Sequence, residues 1–399
     1  MSDNLARHFN LREDVTFLNH GSFGACPRPV FEAYQAWQLE LEREPVDFLA
    51  RHLTENMRVP REVLAAELGC GSEDIVGVVN ATTGLNIAIQ SLDLKPGDQI
   101  LTTDHEYGAL EKTWAFVCRR TGAEVVTVNV PLPLTSAEGF ADAIRAGITD
   151  RTRVLFLSHI TSPTALLFPV ETLIAEARER GIWSVIDGAH TPGHIPLDLT
   201  AIGADIYSGN CHKWMMSPKG SAFLYVRPDV QGMIDPLVVS HGWTATSKEP
   251  GAKGAFGNSP YIDEIEMQGT RDPSAWLTVP KALEFRAEHD WWAVAAQCRD
   301  LAQETRARME ELTGLPPLCS PEFCAPQMVA MPIPECDPQD IHDTLYARYK
   351  IDIPVFRWQD RCIARLSVQG YNSRPQMDAL LDALGELLDL GVTPGLRLA

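Results

Sequence analysis

Between residues 60 and 230, short apolar runs recur at regular intervals with amphipathic stretches between them, and this pattern leaves few folds open. The runs cover residues 75–79, 99–103, 124–129, 153–158, 183–187, 204–208 and 222–226; the amphipathic stretches cover 84–92, 108–120, 137–146 and 170–180. Strand, helix and strand repeated at this spacing predict a mostly parallel α/β sheet, here of seven strands. Runs such as Val154-Leu-Phe-Leu-Ser158 barely alternate, as expected for strands covered by helices on both faces.

A chain of 399 residues exceeds what one core usually organises, so a second domain is expected. Around residues 240–261 the composition shifts to Gly, Ser, Thr, Lys and Pro, which reads as a long loop. A single helical pattern then covers roughly 275–312, and residues 328–333, 338–349, 363–368 and 375–390 alternate strand and helix in shorter units. The expected division is an N-terminal segment (1–16) packing on the small domain, a large domain (17–270) and a smaller C-terminal α+β domain (271–399). The formal net charge of −19, without any Lys/Arg cluster, excludes a nucleic-acid-binding face, which must displace counterions with basic groups. No apolar run approaches the length of a membrane span, and the polar N-terminus has no secretory core. Nine scattered cysteines without a CxxC pair fit a reducing, cytoplasmic setting.

The informative stretch is Trp183-Ser-Val-Ile-Asp187-Gly-Ala-His190, followed by Ser208-Gly-Asn210-Cys-His212-Lys213-Trp214. Asp187 ends one apolar run and so falls at the carboxyl edge of the sheet, where α/β proteins bind ligands. Lys213 lies 26 residues on, one strand–loop–strand excursion later, and faces the same crevice. A carboxylate and a lysine so placed suit pyridoxal 5′-phosphate (PLP). The amine condenses with the cofactor aldehyde as a Schiff base, and the carboxylate keeps the pyridine nitrogen protonated. Standing alone, Asp187 would read as a helix cap and Lys213 as a solvated charge.

The pieces Val185-Ile-Asp187-Gly-Ala-His190, Ser208-Gly-Asn-Cys-His-Lys213, Pro218-Lys-Gly220, Gly269-Thr270-Arg271-Asp272 and Ala364-Arg365-Leu-Ser occur in the order that marks a known family. The chain resembles the class V aminotransferases of the fold-type-I PLP-dependent transferases over nearly its whole length. Through Asn19-His-Gly-Ser-Phe-Gly24, Glu44-Pro-Val-Asp-Phe-Leu49 and Thr103-Asp-His-Glu-Tyr107 it is similar to the isopenicillin N epimerase-like group of that family.

The resemblance implies roles by position. Thr82 and Thr83, where a helix opens after a strand, bind the cofactor phosphate, as helix N-termini do; a plain Thr cap with a Gly turn is the alternative. Asn210 and His212 match a phosphate-contacting pair. Thr270 matches a threonine that reaches the phosphate of the neighbouring subunit, which implies a homodimer with a shared active site. His105 matches the residue stacked on the pyridine ring, with Tyr107 the alternative. Ser162 and His190 match contacts to the cofactor's 3′-oxygen, and His190 is also a candidate acid or base. Arg365 matches the anchor of the substrate α-carboxylate, with Arg271 a second candidate for a distal carboxylate and Asn19, His20 and Ser22, in a Gly-bounded loop, as residues closing over substrate. A guanidinium fork suits a planar carboxylate better than an ammonium does.

The expected activity is a PLP-dependent reaction at Cα of an amino acid: an epimerase first, a β-eliminating C–S lyase on a cysteine-derived amino acid second, an aminotransferase third. Epimerisation needs a proton donor besides Lys213, for which His190, Tyr107 and Cys211 are all conceivable. A cysteine desulfurase is disfavoured because residues 353–365 carry only Cys362, three residues from Arg365. No metal is expected: His190 and His194 have ligand spacing, but Pro192-Gly193 breaks the helix that would present both.

Overall fold

The computed structural model describes residues 5–244, 248–249 and 251–390. The parts of the expected N-terminal segment, long loop and C-terminal domain that fall on 1–4, 245–247, 250 and 391–399 lie outside the described residues. Twelve strands are formed among those described: β1 (Thr16–Phe17), β2 (Ile75–Val78), β3 (Gln99–Thr103), β4 (Glu124–Val128), β5 (Thr152–Ser158), β6 (Trp183–Gly188), β7 (Ile206–Asn210), β8 (Ala222–Val226), β9 (Met328–Ile333), β10 (Ile351–Asp352), β11 (Val355–Trp358) and β12 (Arg361–Ser367).

Strands β2 to β8 make the seven-stranded sheet, in the order β2-β8-β7-β6-β5-β3-β4. Only β8 runs against its neighbours. The carboxyl ends of β5, β6 and β7 therefore lie side by side, with Ser158 opposite Asp187 and Asp187 opposite Ser208. β2, β6, β7 and β8 are buried along almost their whole lengths, which accounts for their lack of alternation. The helix Ala81–Ser91 packs on β7 and β8. Gly84 makes this approach possible, because a Cβ there would collide with the Ser208 hydroxyl.

The smaller C-terminal domain is built on the antiparallel sheet β11-β12-β9, covered by the helix Trp291–Thr313. The N-terminal segment runs to this part of the molecule: Phe9 lies edge-on to Tyr371, and β1 pairs in parallel with β10. No helix among the described residues is long and apolar enough to cross a membrane.

The continuous helix expected over 275–312 is three helices, Ser274–Leu277, Val279–Glu288 and Trp291–Thr313. Pro280 has no N–H to continue the first into the second, and Asp290 adopts a left-handed φ of 46°. The first two pack against the helices Arg28–Arg43 and Leu53–Leu68 rather than on the small sheet. The loop expected to reach residue 261 ends earlier, at the helix Pro260–Glu266, which Ser259 caps. Every residue of that short helix is buried, so its sequence lacks the polar face that marks a surface helix.

Candidate active site

A cavity of about 280 Å³ opens where β5, β6 and β7 end and the helix Ala81–Ser91 begins. Asp187 forms its floor. The side chain is 3% exposed, and Oδ1 accepts a hydrogen bond of 2.8 Å from the Ala189 N–H. Burial raises its pKa to about 6, offset by that bond and by the Lys213 charge. A carboxylate held here at such cost is suited to meet a cationic group from the cavity side.

Lys213 follows β7 on a loop whose backbone is tied down. The His20 ring accepts a 2.9 Å hydrogen bond from the Tyr371 hydroxyl at Nδ1 and donates through Nε2 to the Lys213 carbonyl, 3.0 Å away. Gly24, at φ 69°, lies so close to the His212 carbonyl that a Cβ would overlap it. The Lys213 amine lines the cavity and lies 3.0 Å from His190 Nε2. Burial first, and the nearby Arg365 second, lower its pKa to about 7, with Asp187 acting in the opposite direction. A lysine so depressed supplies a free amine near neutral pH, the form that attacks an aldehyde.

Arg365, on β12 of the smaller sheet, does not itself line the cavity but bonds two residues that do, Ser162 and Ser22. It donates to the carbonyl and hydroxyl of Ser162 and, through Nη2, to the Ser22 hydroxyl at 3.1 Å. Ser22 in turn donates to Asn19, and Asn19 Nδ2 donates to Asp352 at 3.2 Å. The Arg365 side chain is 7% exposed, its Nε has no partner, and it forms no ion pair among the described residues. Burial lowers its pKa to about 10, well above neutrality. A buried guanidinium held only by neutral oxygens has the chemistry to take up a carboxylate.

At the far end, Asn80 caps the helix Ala81–Ser91 by accepting from the Thr83 N–H at 2.8 Å. Asn80, Ala81, Thr82, His212 and Lys219 line the cavity there. Asn210 also lines it, but its Oδ1 is committed to the Ala81 N–H at 2.9 Å, so it braces the helix start. His212 donates through Nδ1 to the Ser221 carbonyl at 3.3 Å. This helix N-terminus, the buried Asp187 and the low-pKa Lys213 together fit a group that carries a phosphate, a basic ring nitrogen and an aldehyde.

Several sequence expectations fall elsewhere. His105 is fully buried beside Trp358 and Phe168, donates or accepts at Nδ1 with Thr164, and does not reach the cavity. Tyr107, 44% exposed, is the aromatic residue of that loop that lines it. The loop's orientation is set by Glu106, whose carboxylate accepts from Ser158 N, Ser158 Oγ and Thr103 Oγ1. His20 is buried with both ring nitrogens used, so it supports the Lys213 backbone instead of touching substrate. Asn19 likewise orients Ser22. Thr83 does not line the cavity, and Thr270 lies exposed outside it. Arg271 donates to the Glu266 carbonyl at 3.4 Å. Sequence reasoning passed over Asn80, although Asn directly before a helical run is a capping signal. Lys219 and Trp214 stand inside the sequence motifs, which assign them no role. No cysteine lines the cavity, and Cys362, with its Sγ toward the Cys336 carbonyl at 3.6 Å, is buried elsewhere.

The fold and this cleft define a PLP-binding α/β enzyme of fold type I. Residues 26–380 match the family described as Aminotransferase class-V. The chain is 35% identical to the isopenicillin N epimerase of Amycolatopsis lactamdurans over 390 residues, covering 96% of this chain and 98% of that one. It is 29% identical to a probable chloroplastic L-cysteine desulfhydrase of Arabidopsis thaliana, covering 94% and 83%. The apo structure of a cysteine desulfurase from Thermococcus onnurineus superimposes with a TM-score of 0.82 at 20% identity, over 98% of this chain and 99% of that one. The protein belongs to the class-V aminotransferase family and is a PLP-dependent enzyme.

Proposed function

We propose that this enzyme is an amino-acid epimerase acting at Cα. The observation that carries the reading is the presence in one cavity of two groups able to exchange a proton, the Lys213 amine and the Tyr107 phenol, with Arg365, which forms no ion pair among the described residues, bonded to the lining residues Ser22 and Ser162. Bound PLP supplies the electron sink that makes a Cα–H bond acidic. In this reading Lys213 would hold the cofactor and serve as one proton-transfer group, and Tyr107, which lines the same cavity, would serve as the second. Asp187 would pair with the ring nitrogen, Asn80, Thr82 and His212 would hold the phosphate, and Arg365 would fix the α-carboxylate, with Ser162 and Ser22 keeping the guanidinium fork in place. His190 offers a hydrogen bond to the groups around Lys213.

A C–S lyase is the second reading. It is supported by the desulfhydrase among the relatives, and elimination needs a base on one side only. The absence of a cysteine from the cavity lining weighs against a desulfurase, which passes sulfur to a thiol.

We also propose a homodimer in which Thr270 serves the partner's phosphate site. Its exposure, and the exposed apolar side chains Leu237, Val238, Val239 and Trp243, support that assembly. A cytoplasmic location fits nine cysteines that are all free.

Proton NMR of the loaded enzyme in D2O, with L-amino acids, cysteine conjugates and α-aminoadipyl peptides, tests the reading. Loss of the α-proton signal with appearance of the D-isomer is expected. Pyruvate and ammonia without D-isomer would assign the lyase, and a 2-oxo acid would assign the transaminase.

A further inference from the structure

We infer that Trp214 is a positioning residue that fixes which nitrogen of His190 carries its proton, and thereby restricts His190 to donating a hydrogen bond at Lys213. The indole Nε1 of Trp214 lies 3.4 Å from His190 Nδ1, in hydrogen-bonding geometry. An indole N–H only donates, so Nδ1 must offer a lone pair. A neutral imidazole then carries its hydrogen on Nε2, the atom 3.0 Å from Lys213 Nζ. Nζ must accept that hydrogen, which only a free amine does. The opposite arrangement, an ammonium donating to Nε2, would put a hydrogen on Nδ1 facing the indole hydrogen. The same conflict excludes the imidazolium.

The surroundings hold Trp214 in this role. It is fully buried, stacked on His194 with ring centroids 4.0 Å apart, and its carbonyl accepts from Arg286 at 2.9 Å. His194 is itself saturated: Nδ1 donates to the His190 carbonyl at 2.9 Å and Nε2 accepts from the Gln327 N–H at 2.8 Å. The indole therefore has no room to swing away, and the His190 backbone is tied to the same ring stack. Two consequences follow. The resting lysine is kept as a nucleophile, and His190, with one nitrogen occupied and the other protonated, cannot accept the substrate's α-proton. Within the epimerase reading this leaves Tyr107 as the second proton-transfer group.

The test uses the full-length protein labelled with ¹⁵N-histidine, unloaded and then loaded with PLP. His190 is assigned by the signals lost in His190→Gln, and long-range ¹H–¹⁵N correlation reads the tautomer. The expected wild-type result is a lone pair on Nδ1 and hydrogen on Nε2. Trp214→Phe, which keeps the stack on His194 and removes the donor, is expected to move His190 to the Nδ1–H form or a mixture. A wild-type ring with hydrogen on Nδ1 overturns the inference, as does an unchanged tautomer in folded Trp214→Phe. If that variant fails to fold, the wild-type spectrum decides alone. The unloaded measurement involves no substrate, so its outcome is separate from that of the epimerase assay.

Discussion

Arg365 Nη1 lies 3.1 Å from the hydroxyl of Ser162, which joins the middle strand of the small sheet to the loop leaving β5 of the large one. The pair places a permanent cation against a residue of the cavity lining, Ser162, without neutralising it. Arg365→Lys should therefore raise KM for an amino acid by about 10- to 100-fold with a smaller effect on kcat. A charge-assisted fork is worth about 1.5–3 kcal/mol, and an ammonium does not span Ser22 and Ser162. Steady-state kinetics with a substrate and with its α-amide would check this; the amide should be insensitive to the substitution.

Asp187→Asn should separate stability from cofactor binding. The folded pKa of Asp187 is raised to about 6 from a usual 3.8, so between those values the folded chain holds more protons and stability falls as pH rises. At pH 7.5 the unloaded protein carries the whole penalty. Removing the charge should raise its Tm by a few degrees, corresponding to about 1–3 kcal/mol. PLP affinity should drop about 10- to 100-fold in the same variant. Thermal melts and cofactor titration report the two effects, and a lowered unloaded Tm would contradict the assignment.

Lys213 titrates in the opposite sense. Its folded pKa is lowered to about 7 from 10.5, so the unfolded chain binds more protons between those values and stability rises with pH across that window. The amine becomes reactive as pH climbs through 7. The rate of PLP uptake, followed by visible absorbance, should rise about tenfold per pH unit below 7 and level off above it. Lys213→Ala should bind PLP without the absorbance of the covalent linkage.

Tyr107→Phe tests the second proton-transfer group. General acid–base groups contribute about 10²–10⁴-fold, and D-isomer formation should fall by that amount. Exchange of the α-proton with D2O at retained configuration should persist, because Lys213 is untouched. Equal loss of exchange and inversion would remove Tyr107 from the mechanism.

The parallel sheet and the pairing of Asp187 with Lys213 were legible because both follow from apolar runs and what stands at their ends. The choice between His105 and Tyr107 was not, since both follow β3 within four residues of Thr103. It is made by Glu106, whose carboxylate binds Ser158 and Thr103 across strands that are distant in sequence. His20 misled for a related reason. A histidine in a Gly-bounded loop suggests a mobile contact, and only Tyr371, from near the other end of the chain, reveals it as a buried support. The break at Asp290 was hidden because a helical composition continues on both sides of a single left-handed residue.

The hydrogen-bond chain Asp352–Asn19–Ser22–Arg365–Ser162 draws on four separate stretches of sequence. None of those stretches contains it alone. A ligand carboxylate that engages Arg365 thus acts as a clasp on the N-terminal loop, the large sheet and the small sheet at once. Amide exchange in all three should slow together when substrate binds, and so should exchange at β10, which carries Asp352, pairs with β1 and makes no part of the cavity lining.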